Sequence, residues 1–428
     1  MRNKFNSIFK EVLIRVNPSK DELQLIQRSL KDFLKKIENK IKTNKVNAEV
    51  FVGGSFAKKT LIKKDCYDID IFLRFNAKYK DEEISSMANN ILKGIGDIDV
   101  LHGSRDYFKI KAGSSLYFEI VPVRKIKKPE EAVNVTDLSY AHVRYINNKA
   151  KSKNILDEIR IAKAFCHANN CYGAESYVGG FSGYALELLI YYYNGFINFL
   201  KAIADVNLKN KLIIDIEKHY KNKHQIMVDI NSSKLQSPII LIDPTYKQRN
   251  ALAALSEETF EKFKKDAANF LKNPSKKAFE QKKMNLEKIK KDAKKKKYEF
   301  ILIEVKTNRQ PGDIAGSKLL KFYRHLIEEL NMFFEVKNKG FNYNKEKTAR
   351  YFFVTKSKGE IIIEGPDARD KLNVLKFKKK HRNIFTNKKK AYAKEKINFS
   401  AKQFIEKWKE KSSEKLNDMY IESLKVEG

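Results

Sequence analysis

The sequence predicts an α+β protein in three parts. Residues 1–145 read as a mixed sheet with helices, residues 146–275 as a mostly helical part, and residues 276–428 as a small α+β part with a basic tail. Three observations predict this. Short runs at Glu49 to Val52, 67–75, 97–101, 106–111 and 115–123 read as strands, with two-residue alternation clearest in 67–75. From residue 155 the apolar spacing changes to that of helices (Ile155, Ile159, Ala162, Phe165, Cys166). Beyond residue 298 a strand, a helix and three more strands follow, an order that suits a small α+β sandwich.

The bulk properties narrow the class. A chain of 428 residues is long enough for about two to four domains with real cores, and 42% hydrophobic content lets it fold. It has no run of eighteen apolar residues, and its first residues lack a signal-peptide core. No membrane partner is therefore expected, and a cytoplasmic location is. Cys66, Cys166 and Cys171 make neither a disulfide framework nor a zinc set. A net charge of +34 calls for a polyanionic partner, although the abundance of Asn and Ile shows that coding bias supplies part of the lysine.

In chain order, Ser19 and Glu22 are spaced as a capping box and open a helix. Its stripe is Leu23, Ile26, Leu30, Phe33, Leu34, Ile37 and Ile41. A strand from Glu49 to Val52 leads into Gly53-Gly54-Ser55, then a basic and polar loop, then Asp68-Ile69-Asp70 in a strand. A second pair, Asp97 and Asp99, reads as a strand edge. In the middle part, Ser182 to Leu200 reads as one buried helix, with Tyr191 to Tyr193 in the core. Leu235 to Ile242 reads as a strand ending at Asp243-Pro244, followed by a turn at Lys247 to Asn250 and a helix capped by Ser256. Lys276 to Lys297 holds eleven lysines against three acids, as a helix, a linker or a solvated face. The last part reads as a strand from Tyr298 to Lys306, a helix from Asp313 to Leu330, and strands near Met332 to Val336, Ala349 to Thr355 and Glu360 to Glu364, ended by Gly365-Pro366. In the tail, Lys376 to Lys396 interleaves ten Lys and Arg with Phe377, Phe385 and Tyr392. That mixture suits RNA backbone and base stacking.

The stretch from Gly53 to Phe72 carries the chemistry. Asp68 and Asp70 are two apart in a strand and project from one face. Two carboxylates beside a glycine-rich turn of free N–H groups can hold divalent cations and a triphosphate together. Glu119 stands alone among apolar residues in LYFEIVPV. A carboxylate there costs several kcal/mol unless a metal or a lysine pairs with it, and the sequence leaves both open. Three acids on two neighbouring strands suit a two-metal phosphoryl-transfer site.

A Gly-Ser turn, a spacer of about a dozen residues, Asp-hydrophobic-Asp and a later third acid resemble the DNA polymerase β-like nucleotidyltransferase superfamily. KAFCHANNCYGAES (from Lys163), GFSGYALELL (from Gly180) and DPTYKQRN (Asp243 to Asn250) narrow the resemblance to the archaeal, class I CCA-adding enzymes, over most of residues 1 to 375. The resemblance implies addition of C, C and A to the 3′ end of tRNA from CTP and ATP without a template. It implies two Mg²⁺ ions held by Asp68, Asp70 and Glu119, and tRNA bound at its acceptor end and backbone. A homodimer stays open. Ser55, Lys58, His142, Lys163, Tyr172 and Arg249 match nucleotide-binding positions. Lys58 stands where relatives often carry Arg, Lys59 where many carry Gly, and Glu119 where Asp is usual. Arg249 is expected to read the base edge, the alternative being a salt bridge to Asp243. The rival readings are another RNA-terminal nucleotidyltransferase, adding A or U, and a non-catalytic RNA-binding protein. The intact acids and the two later motifs weigh against both.

Overall fold

A computed structural model describes residues 2–103, 105–207, 211–281 and 285–427. The chain divides into two units, Met1–Lys282 and Lys283–Gly428.

The first unit has two cores. Helix α1 (Arg2–Val16) buries Phe5, Ile8, Phe9 and Val12 at helical spacing. Helix α2 (Lys20–Thr43) begins at Ser19 with both halves of the capping box formed, and buries Ile26, Leu30, Phe33, Ile37 and Ile41. Then come β1 (Ala48–Val52), the one-turn α3 (Gly54–Ala57), β2 (Tyr67–Phe75), α4 (Asp81–Leu92), β3 (Ile98–Leu101), β4 (Tyr107–Gly113) and β5 (Leu116–Arg124). They form one mixed sheet in the order β1-β2-β5-β4-β3, with β2 and β5 parallel. Ile69, Ile71, Leu73, Phe118 and Ile120 form one core with α2 and α4. Phe33 packs on Phe118 with ring centroids 4.4 Å apart. The alternate residues of β2 and β5, Asp68, Asp70 and Glu119 among them, face the other way. The pair at Asp97 and Asp99 lies at the sheet edge, as its sequence suggested.

The second core is helical. It is built by α5 (Ser139–Lys149), α6 (Lys153–Ala168), α7 (Gly183–Tyr192), α8 (Phe196–Ala204) and, after β6 (Leu212–Asp215), α9 (Lys223–Asp229), β7 (Ile239–Asp243) and β8 (Tyr246–Asn250), by α10 (Glu257–Lys272). Phe165, Phe196, Phe199, Phe263 and Phe270 meet Phe5 and Phe9 of α1 there, so α1 packs with the helices and not with the sheet that follows it.

Four local expectations need correction. Ser182 to Leu200 is two helices, not one. Asn194 (φ 51°) and Gly195 (φ 127°) break it in the left-handed region, which glycine enters without a Cβ clash. Tyr192 sits at that break and is 47% exposed, not core. The expected strand at Leu235 starts only at Ile239, and the expected turn at Lys247 to Asn250 is strand β8, paired antiparallel with β7. A polar strand of that kind carries no hydrophobic alternation to reveal it.

The second unit contains α11 (Leu286–Lys295), β9 (Glu299–Thr307), α12 (Asp313–Phe333), β10 (Phe334–Tyr343), β11 (Thr348–Ser357), β12 (Glu360–Asp367), α13 (Lys371–Lys380), β13 (Asn383–Asn387), β14 (Lys390–Lys396), α14 (Ala401–Lys411), α15 (Ser413–Asp418) and β15 (Ile421–Glu427). An antiparallel sheet β10-β11-β9-β15 packs on Leu319, Phe322 and Leu326 of α12 and Ile405 of α14. A separate sheet runs β12-β14-β13. Met332 belongs to α12, not to a strand, and Gly365-Pro366 lies inside β12 at a register shift. Proline is tolerated there because a bulge leaves its missing N–H unneeded. The basic stretch Lys376 to Lys396 is ordered as the end of α13 and the β13–β14 hairpin. Of Lys276 to Lys297, residues 282–284 lie outside the described residues. Phe279 is buried in the first unit and α11 belongs to the second.

Candidate active site

Strands β2 and β5 place the acids. In their parallel register Asp70 stands opposite Glu119 and Asp68 opposite Tyr117, so the three carboxylates share one face. The glycine turn is pressed against them. Gly53 N donates to Asp70 O at 2.9 Å. Gly54 has φ +60°, and a Cβ there would fall 1.7 Å from Asp70 Oδ2. Only glycine allows the turn and α3 to lie this close to a carboxylate. Burial raises the Asp70 carboxyl above its usual range, and the charge of Asp68 adds to this while Lys58 and Lys64 oppose it. Burial also raises Glu119, and the charges of Asp68 and Asp70 raise it further.

Lys109 answers part of that repulsion. It stands opposite Glu119 on β4, and its Nζ lies 2.9 Å from Asp68 Oδ1 and 3.4 Å from Glu119 Oε1. Glu119 thus has the lysine partner that its sequence context left open. Among the described residues, no three His, Cys, Asp or Glu side chains converge as a cation site. The donor set still fits a hard divalent cation, because three oxygen acids share one face and the charges of Asp68 and Asp70 raise Glu119.

Behind the turn lies a buried cluster. Glu187 on α7, in GYALELL, accepts from Lys163 Nζ at 2.8 Å and from Thr60 Oγ1 at 2.6 Å, and its other oxygen lies 2.6 Å from Lys58 Nζ. Lys163 also donates to Thr60 O at 3.2 Å. Arg160 donates to Lys59 O at 2.6 Å. Helix α6 therefore fixes the loop that follows α3. Lys59 sits at φ 58°, a conformation that glycine adopts more readily than lysine. Burial would raise Glu187, but Lys163 and Lys58 outweigh it and hold it at about 2. Burial and the neighbouring Lys58 bring Lys163 down to about 8 against the pull of Glu187. Two lysines share one carboxylate here. Sequence reading passed over Glu187 and Thr60, although a lone acid in an apolar run was the signal that found Glu119.

A second cluster surrounds Asp243, which is fully buried. Its Oδ2 meets His142 Nε2 at 3.0 Å and accepts from Arg249 Nη1 at 2.7 Å. Its Oδ1 accepts from Tyr184 OH at 3.0 Å and from Thr245 N and Oγ1 at 2.9 and 2.8 Å. Burial pulls the His142 ring down, so it is neutral at pH 7 with its N–H turned to the carboxylate. The ring stacks on Tyr184 at 4.0 Å. The salt bridge to Asp243 that the sequence kept open for Arg249 is therefore formed. A guanidinium has five N–H donors. Arg249 keeps others for the cavity of about 570 Å³ that it lines with Val133, Val135, Ser182, Lys234 and Gln248. Val133 and Val135 are exposed there. Asp137 holds their loop by accepting from the backbone N–H of Val133 and Asn134.

Of the remaining expected residues, Ser55 lies in α3, and its O accepts from Thr60 N at 2.9 Å. Tyr172 is turned inward and stacks on His167 at 4.0 Å.

The sequence matches two family models. Residues 34–162 match the nucleotidyltransferase domain, and residues 157–280 match the second domain of tRNA nucleotidyltransferase. Among solved structures, the fold is similar to a cytoplasmic RNA terminal U-transferase (TM-score 0.51, 14% identity, 66% of this chain and 100% of that one). It is equally similar to the Cid1 poly(U) polymerase (TM-score 0.52, 13% identity, 66% of this chain and 100% of that one). No described helix is long and apolar enough to cross a membrane. Sequence relatives are nearer. The CCA-adding enzyme of Methanocaldococcus jannaschii is 30% identical over 90% of this chain and 86% of its own length. That of Nanoarchaeum equitans is 37% identical over 79% of this chain and 81% of its own length. With its three acids, its glycine turn and this likeness across most of its length, the chain belongs to the family of CCA-adding enzymes.

Proposed function

We propose that this protein adds C, C and A to the 3′ end of tRNA, drawing on CTP and ATP and releasing pyrophosphate. The observation that carries the reading is the glycine turn packed on Asp70 opposite Glu119, because it brings phosphate-binding N–H groups and paired acids to one place. Asp68, Asp70 and Glu119 would hold two Mg²⁺ ions, which when bound lower the pKa of the attacking 3′-hydroxyl and offset charge on the phosphorus. Ser55 and the N–H groups of α3 face the triphosphate in this reading. Lys58 and Lys163 carry one positive charge more than Glu187 cancels, and that excess favours a polyanion.

Arg249 and His142, both fixed by Asp243, take the base edge in this reading. A base-reading site must be dry and rigid, so that a missed hydrogen bond costs discrimination. Tyr172 supports the nucleotide pocket in this reading from the bridge it makes with Phe181 after α6. The sheet part serves as the catalytic domain, the helical part as the nucleotide domain, and the second unit with its basic stretch grips tRNA in the cytoplasm. The test is extension of a tRNA lacking its 3′ end. CTP alone should add two residues, CTP with ATP should add three, and UTP or GTP none. Runs of A or U in place of this pattern would overturn the reading.

A further inference from the structure

Lys109 is the feature that the proposed reaction leaves unexplained. Strand β4 places it opposite Glu119, which itself stands opposite Asp70 across β5 and β2. Its ammonium bridges Asp68 and Glu119, two of the three acids, at 2.9 and 3.4 Å. It also lies 4.5 Å from the centre of the Tyr117 ring. An ammonium and a divalent cation on the same carboxylates repel each other and compete for the oxygens' charge, so each weakens the other. The acids that Lys109 occupies are those to which the metal is assigned.

We propose that Lys109 is a resident counter-cation, which holds the acid face together without metal and is displaced when a divalent cation binds. The proposal rests on the reading of Asp68, Asp70 and Glu119 as a metal site. Lys109 acts as a positioning residue. Paired, it keeps two repelling carboxylates on station. Released, it retains the Tyr117 ring as a resting place, since a cation is attracted to the face of an aromatic ring. Binding of metal and pairing of Lys109 then oppose each other, and metal affinity is set below what the bare acids would give. Lys111 provides the comparison. It lies two residues along β4, is exposed, and forms no ion pair with the acids in this structure.

Mn²⁺ binding to the full chain, measured by calorimetry without nucleotide or RNA, tests this. K109M should bind Mn²⁺ about tenfold more tightly than the parent, within the usual size of a coupling between two ligands. K111M removes the same charge and should stay within about twofold, because an exposed charge is screened. K109R should bind like the parent. The parent alone gives a second readout. Acylation of the Lys109 amine, followed by mass spectrometry, should rise when Mn²⁺ saturates the site. If the parent binds Mn²⁺ and D68N weakens that binding, but K109M and K111M behave alike or Lys109 labelling stays flat, the metal site stands and the counter-cation role falls. A parent that binds no Mn²⁺ overturns both.

Discussion

Replacing Glu187 by Gln should destabilise the first unit more than any conservative change at its two lysines. The carboxylate is fully buried and answers Lys58 at 2.6 Å, Lys163 at 2.8 Å and the Thr60 hydroxyl at 2.6 Å. The three charged groups sum to +1. Glu187→Gln takes the cluster to +2 with no anion in contact, whereas Lys163→Met takes it to zero and leaves Glu187 paired with Lys58. Breaking a buried pair so that a charge is stranded costs about 3–5 kcal/mol. That is a large part of the roughly 5–15 kcal/mol that holds a domain folded. Lys163→Met should cost clearly less, although it removes a partner from the same ion pair. The double variant should recover about 2 kcal/mol or more relative to Glu187→Gln alone. Amide hydrogen exchange in α6 and α7 under native conditions reads the opening free energy at the cluster. Trp408, the one tryptophan of the chain, lies in the second unit and reports that unit separately by fluorescence. Millimolar pyrophosphate should restore Glu187→Gln more than it stabilises the parent. If Lys163→Met proves as costly as Glu187→Gln, the net charge of the cluster does not govern its stability, and the reasoning fails.

Other outcomes follow from the same geometry. Arg249→Ala removes the guanidinium that Asp243 aims along the cavity, and should relax the choice among nucleotides by about 1–3 kcal/mol while chemistry slows less. Competition of CTP against UTP checks it, and unchanged rejection of UTP would exclude Arg249 as the reader. Neutralising Lys378, Lys379 and Lys380 at the end of α13 and Arg382 just beyond it, all exposed, should raise KM for tRNA and leave KM for CTP unchanged. If three of the four touch phosphates, the slope of log affinity against log salt becomes shallower by about 2–3. Equal loss on a minihelix would place these residues at the acceptor end. The backbone N–H and hydroxyl of Ser19, with the Tyr67 hydroxyl, hold Glu22 at about 2 in place of 4.5. A carboxylate whose folded pKa is depressed gives stability that is present above the unfolded value and lost as pH falls through the folded one. Thermal denaturation between pH 4.5 and about 2 should therefore lose more stability in the parent than in Glu22→Gln, and equal losses would contradict the cap.

The sequence disclosed whatever has a short-range signature. Ser19 and Glu22 marked the start of α2, alternation marked β2, an apolar run marked β5, and the Gly-Gly-Ser turn with three acids marked the catalytic face. Partnerships made across long separations stayed hidden. Glu187 and Thr60 are 127 residues apart, and His142 and Asp243 are 101 apart. No local pattern distinguishes a buried lysine that needs an anion from one at the surface, so Lys163 was legible as a residue but not as half of a cluster. Strand β8 was missed because YKQRN has no alternation of apolar and polar residues, and its pairing with β7 is what shows it to be a strand. The break before Gly195 has a local signal in Asn-Gly, a pair that enters the left-handed region readily, and the reading as one helix passed over it.

The most direct test of the central claim is Asp70→Asn. This change keeps the shape beneath Gly54 and removes one negative charge from the face shared with Asp68 and Glu119. Addition of C and of A to a tRNA lacking its end should be followed in single turnover with both NTPs saturating, alongside binding of the same tRNA. The predicted result is loss of both additions to below about 1% of the parent rate, with tRNA affinity within a few fold, because only the metal-assisted step depends on the carboxylate. Retention of either addition above that level, or a parallel loss of tRNA binding, would contradict the assignment of the chemistry to these strands.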